Sequence, residues 1–235
     1  MLLGFSRWVC IRARLPEDVV ERAVADGVRQ YVILGAGLDS FAYRRTDLLD
    51  RLRVFEVDHP ASQAWKQSRL ADLGVTCPTN LVFAPVDFET QSLSDGLDAA
   101  GFDLGARAVF SWIGVTMYLT IGAIEATLAT VAACPAGTGI VLTYNLPSSA
   151  FRGPRLESRN AVADIAAEMG EPFVTTFEPA EAEELMRRHG FDDIVHFGPA
   201  EALATYFAGR DVHIHGAQRL IVARVAERES AGEEA

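Results

Sequence analysis

The chain has 235 residues, is 49% hydrophobic and 23% charged, and carries a formal net charge of -11. Its length supports one sizeable core or at most two small ones, and a single α/β domain is the simplest arrangement. The acidic balance argues against nucleic acid as a partner, because a phosphate backbone needs a basic face.

Three scattered cysteines, Cys10, Cys77 and Cys134, form no CxxC pair and no disulfide framework, which predicts buried, reduced thiols in a cytoplasmic protein. The apolar start, MLLGFSRWVCIR, lacks the long apolar segment and cleavage site of a signal peptide. No stretch approaches the roughly 20 apolar residues of a membrane span. A soluble chain is expected, with no membrane partner and with room for a homodimer.

In chain order, Pro16 to Gly27 opens on Pro and acids and closes on Gly, which predicts a helix. QYVILG (30–35) is a buried strand, and 38–49 is predicted helical. LRVFEVD (52–58) is the second strand, followed by a helix over 60–73. NLVFAPVDF (80–88) is the third strand, with a short helix over 93–100. RAVFSWIGV (107–115) is the fourth strand and its exit loop, and Thr120 caps a helix to Ala133. GIVLTYN (139–145) is the fifth strand. Helices over 154–169 and 179–189 flank an irregular stretch. DDIVHFG (192–198) and AQRLIVARV (217–225) are the last two strands, joined by a link with one short helical turn.

Seven strands with helices between nearly all of them predict a doubly wound α/β sheet, Rossmann-like and mostly parallel, with an antiparallel last strand inserted beside its predecessor. One domain is expected over 1–225, with 146–179 as an insertion or lid over the active face. The polar, acidic residues 226–235 are expected to be a flexible tail.

Ligands of such sheets sit at the carboxyl ends of the strands. The first strand delivers Gly35, Ala36, Gly37, Asp39 and Ser40 there, and the second delivers Glu56 and Asp58. The third delivers Asp87 and Phe88. The fourth delivers Ser111, Trp112 and Gly114, with Thr116 and Tyr118 beyond. Glycines let backbone approach a ligand closely, and an acid about 20 residues later suits ribose hydroxyls. Asp87 is placed to accept from an adenine amino group. The third glycine of a dinucleotide fingerprint is replaced by Ser40, and Asp39 beside the turn repels a pyrophosphate. S-adenosylmethionine, with an adenosine, an ammonium, a sulfonium and no phosphate, fits better than NAD. Simpler readings stand beside these: Asp58 as cap of the next helix, Asp87 as cap of a turn, and Trp112 and Tyr118 as core aromatics.

VRQYVILGAGLDSFAYR (28–44), VFEVDHP (54–60), PVDFE (85–89) and WIGVTMYLT (112–120) resemble the leucine carboxyl methyltransferase family, and within it bacterial class I S-adenosylmethionine-dependent methyltransferases. The likeness is good over 12–145 and looser beyond. It implies a seven-stranded class I methyltransferase sheet. It implies that Gly35, Ala36, Gly37 and Asp39 line the cofactor's methionine portion, with Ser111 nearby. Asp58 would hold the ribose, and Asp87 with the Phe88 backbone would meet the adenine. IRARLPED (11–18) is similar to the family's Arg-Thr-Arg segment and implies that Arg12 grips the cofactor carboxylate; a surface charge is the alternative. Two departures stand out. Ile113 occupies a position where the family often has a glutamate for the cofactor ammonium, and only 11 residues precede Arg12, where the family carries a longer substrate cover.

No persuasive general base is present. His59 qualifies only by location, and His213 and His215 form a two-ligand pattern too small for a metal site. The missing base predicts O-methylation of a small-molecule or peptide carboxylate or an easily ionised hydroxyl, with Trp112 and Tyr118 facing the acceptor and Tyr118 orienting it. The alternative is a binder of S-adenosylmethionine that transfers nothing. A nicotinamide-dependent reductase lacks its reactive pair.

Overall fold

The structure is a computed structural model that describes residues 2–214 and 216–227. The elements in order are α1 (Leu2–Ala25), β1 (Gln30–Leu34), α2 (Phe41–Arg44), β2 (Arg53–Asp58), α3 (Pro60–Asp72), β3 (Leu81–Pro85), α4 (Leu93–Ala99), β4 (Ala108–Trp112), α5 (Ile121–Ala132), β5 (Gly139–Asn145), α6 (Pro154–Glu168), α7 (Pro179–Arg188), β6 (Phe191–Phe197), α8 (Pro199–Tyr206) and β7 (Gln218–Val225). Short 3-10 turns lie at Thr46–Leu48, Thr116–Tyr118 and Ser148–Ala150.

The seven strands form one sheet in the order β3-β2-β1-β4-β5-β7-β6. β1 to β5 run parallel, and β7 lies antiparallel between β5 and β6, as the strand pattern predicts. β1, β4 and β5 are buried along their whole length, which is why they read as unbroken apolar runs in the sequence. Strand parity then assigns the two faces. Val32, Leu34, Phe110 and Trp112 enter the core under α4, α5 and α7. Tyr31, Ile33 and Val109 face the opposite side with the second half of α1.

Four expectations change. Cys10 and Cys77, expected to be buried, are exposed, and only Cys134 is buried. The first helix begins near Leu2, with Pro16 inside it. A mid-helix proline costs about 3 kcal/mol, but Trp8, Ile11 and Leu15 are buried against β5, β7 and α8, and burying three large apolar side chains outweighs that cost. The helix predicted over 38–49 shrinks to four residues and a 3-10 turn. There the chain spends Gly35 (φ +66°) and Gly37 (φ +48°) on a tight turn, and the Asp39 carboxylate accepts from the Phe41 amide at 2.7 Å. The link between β6 and β7 carries α8, a two-turn helix rather than one short turn. Of the expected tail, residues 228–235 lie outside the described residues.

Candidate functional site

The order of the sheet reverses between β1 and β4, and their carboxyl ends open a cleft of about 130 Å³ roofed by α1. β1 and its turn supply Ile33, Gly35, Ala36 and Asp39, β4 supplies Ser111 with Ile113 just beyond, and α1 supplies Arg12, Pro16 and Glu17. Ile33 and Ser111 are register partners on the same face. Ser111 Oγ accepts from the Tyr31 hydroxyl at 2.8 Å, which fixes that wall.

Four amides of the glycine turn are already engaged. Those of Gly35 and Ala36 donate to the Val57 carbonyl at 2.8 and 3.1 Å, and that of Asp39 donates to the Ala36 carbonyl at 2.7 Å. The Gly37 amide donates to the Asp58 carboxylate. A phosphate needs several such donors to be free, and these four are spent within the fold. Gly35 is required by packing: a Cβ there would lie 2.3 Å from Val115 Cγ2, in the exit loop of β4. Gly37 meets nothing within 4 Å and leaves its side open.

Asp58 does not cap α3. That role falls to His59, whose Nδ1 accepts from the Ala61 amide at 3.2 Å. The Asp58 carboxylate instead accepts from the amides of Gly37 and His59, joining the end of β2 to the turn. Each carboxylate oxygen still has a lone pair for a hydroxyl donor. Asp87 does cap its own turn, accepting from the Glu89 amide at 3.0 Å and the Thr90 hydroxyl at 2.8 Å, and these bonds hold its carboxyl below the usual range.

Arg12 lies in the cleft wall and donates to the Gln218 side-chain oxygen. Burial pushes its guanidinium down from its ordinary value. Its Nε is buried and has no hydrogen-bond partner, and among the described residues no carboxylate forms an ion pair with it. A desolvated cation matched only to a neutral amide suits an incoming anion. Asp39, also lining the cleft, is pushed up by burial against the Phe41 amide and the nearby Lys66 and Arg44, which lower it, and a further cation beside it would offset that cost.

Beneath the turn, Lys66 on α3 donates to the Asp39 carbonyl at 2.7 Å and to Glu56 at 2.6 Å. Both side chains of the pair are almost fully buried. This brace was missed by sequence reasoning, which placed Glu56 at the end of β2 but did not single out Lys66.

Trp112 is corrected from acceptor contact to core: it is 0% exposed and packs with Phe88, ring centroids 6.3 Å apart. Parity could have told this, since Ser111 and Ile113 face the cleft and the residue between them must face away. Tyr118 is half-buried beside Phe173, ring centroids 5.7 Å apart. Its phenol is pushed up by burial and by Glu171, and Arg12 acts to lower it. The segment after α6 straps this turn, with Val174 and Thr175 donating to the Met117 carbonyl and Phe177 to that of Asn145. α6 itself has no buried residue. Of the His213 and His215 pair, His215 lies outside the described residues, and no group of three metal-ligating side chains is assembled among the described residues. Nor is any described helix long and apolar enough to cross a membrane.

Comparison with known proteins gives the same architecture. A solved duf574 family protein from Streptomyces avermitilis matches 90% of this chain and 82% of its own at a TM-score of 0.60 and 23% identity. Human N-acetylserotonin methyltransferase, solved in complex with SAM, matches 92% of this chain and 56% of its own at 0.55 and 17%. At these identities the likeness establishes the fold, the class I methyltransferase sheet. Among curated relatives, the Bacillus subtilis protein named "Putative S-adenosyl-L-methionine-dependent methyltransferase YktD" is 34% identical over 201 residues, covering 85% of this chain and 66% of its own length. A Streptomyces coelicolor protein of the same designation is 34% identical over 129 residues, 44% of its length. The chain thus spans about half to two-thirds of the curated relatives it matches. The family model described as leucine carboxyl methyltransferase matches residues 2–132, from α1 through α5, the stretch that builds the cleft. The chain belongs to the leucine carboxyl methyltransferase family.

Proposed function

We propose that this chain is an S-adenosylmethionine-dependent methyltransferase acting on oxygen, with a carboxylate or an easily ionised hydroxyl as acceptor. The observation that carries the reading is the cleft's donor set: a glycine turn whose amides are spent, beside a buried guanidinium that has no anion of its own. The relatives' names support the same cofactor. The residues fit it: Arg12 for the carboxylate, Asp39 for positive charge, Gly35 to Gly37 for close approach, Ser111 for the inner wall and Asp58 for the ribose hydroxyls. Asp87 and the Phe88 backbone border the adenine side, where Asp87 has only the lone pairs its turn leaves over.

The cofactor supplies an electrophilic sulfonium methyl when bound. The chain's share is to hold it and align an acceptor in line. Tyr118, a phenol protonated at neutral pH and pushed further up by burial, donates a hydrogen bond that orients an acceptor oxygen, with Phe173 as its neighbour. A carboxylate acceptor, with a pKa of about 4, is already ionised at neutral pH, so no base is needed. The insertion over 146–179, with exposed Val162, Ile165 and Met169, is the lid on the acceptor side. Incubation with S-adenosylmethionine labelled in its methyl group and a panel of acids and phenols tests this. Label is expected in a carboxylate or hydroxyl product, and transfer only to amines or carbons overturns O-methylation.

A second reading, a binder of the same cofactor without turnover, draws on Ile113, an apolar side chain in the cleft wall. Binding with no transfer across a broad acceptor panel would favour it.

A further inference from the structure

Gln218 opens β7, 206 positions from Arg12, and its side-chain oxygen accepts from Arg12 Nη1. The backbone around it is fixed: Gln218 pairs with Asn145 in the β5–β7 ladder, and the neighbouring Ala217 carbonyl accepts from the Leu146 amide at 3.0 Å. On the other side, a Cβ at Gly114 would come within 4.0 Å of Arg12 Nη1. The guanidinium is therefore held between α1, the exit of β4 and the first residue of β7.

We propose that Gln218 is the positioning residue for Arg12, and that its neutrality keeps the guanidinium available to the carboxylate of the cofactor. The inference rests on the reading of Arg12 as that carboxylate's anchor. An amide satisfies one of the five N–H groups of an arginine and leaves its charge uncompensated. A carboxylate in the same place would form a charge-assisted pair, fill the anion position and repel a second carboxylate. Orientation without neutralisation is what a glutamine supplies here.

The sharpest variant is the nearly isosteric Gln218→Glu, in the full chain, with S-adenosylhomocysteine as one probe and 5′-methylthioadenosine, which lacks the amino-acid portion, as the other. A partner that merely holds the fold together would be served at least as well by the new ion pair. The proposal expects a melting temperature no lower than that of the unchanged chain, with S-adenosylhomocysteine bound at least about tenfold more weakly and 5′-methylthioadenosine bound within about twofold. Gln218→Met, neutral and of similar size, should weaken S-adenosylhomocysteine binding by a smaller factor, and it serves if the charged variant fails to fold. Undiminished binding of S-adenosylhomocysteine by both variants, or equal loss of both probes, overturns the proposal. Arg12→Met separates the two claims: if it binds S-adenosylhomocysteine normally, the reading of Arg12 falls; if it loses binding while the Gln218 variants do not, only the role of Gln218 falls.

Discussion

At Asp58 the two carboxylate oxygens accept from the amides of Gly37 and His59, and the helix cap that the sequence offered as an alternative belongs to His59. Removing the carboxylate therefore leaves α3 capped and the core untouched, while under the proposed function the ribose loses its acceptor. Asp58→Ala should weaken binding of S-adenosylhomocysteine by about 2 kcal/mol, roughly thirtyfold, with little change in melting temperature. Titration calorimetry alongside a thermal melt checks it, and unchanged affinity would mean that Asp58 only ties β2 to the turn. Some of this residue-level chemistry was legible beforehand. Asp58 stands at the end of an apolar run, and Arg12 in a motif-like segment. Gln218 was not, because its meaning comes from a contact across 206 positions that no local pattern encodes.

Among the elements, the turn after β1 separates packing from binding in two neighbouring glycines. Gly35 is pressed against Val115 with φ +66°, whereas Gly37 opens into space with φ +48°. Gly35→Ala should destabilise the fold by about 2 kcal/mol or more, from backbone strain and overpacking. Gly37→Ala should cost only the strain, about 1 kcal/mol, yet weaken cofactor binding by obstructing close approach. Urea unfolding of the two variants measures the contrast, and equal losses would contradict it. Elements were most readable where burial was complete, as in β1, β4 and β5, whose apolar runs leave one interpretation. They were least readable where two signals competed. Pro16, Glu17 and Asp18 imitate a helix start, yet Trp8, Ile11 and Leu15 extend α1 backwards because the sheet offers them a surface. In 38–49 the apolar spacing suggests a helix, but the turn and the Asp39 carboxylate take up the residues that would begin it.

For the whole molecule, the buried pair of Glu56 and Lys66 beneath the turn couples stability to pH. Burial outweighs the bond from Lys66 and pushes the Glu56 carboxyl up to about 7, from about 4.3 in an unfolded chain. A carboxyl raised in the folded state contributes stability that is fully present below its unfolded value and is lost as pH rises through the folded value. Stability should therefore fall from about pH 4 towards about pH 7, and Glu56→Gln should flatten that slope in thermal melts; an unaltered slope would assign it to other groups. The larger claim is that the cleft between β1, β4 and α1 holds a phosphate-free adenosine ligand through Arg12. Titration of S-adenosylhomocysteine into the unchanged chain and into Arg12→Met tests it most directly. The account predicts saturable one-to-one binding to the unchanged chain, weakened at least about tenfold by the substitution. Absence of binding to the unchanged chain, or equal binding to both, would contradict it.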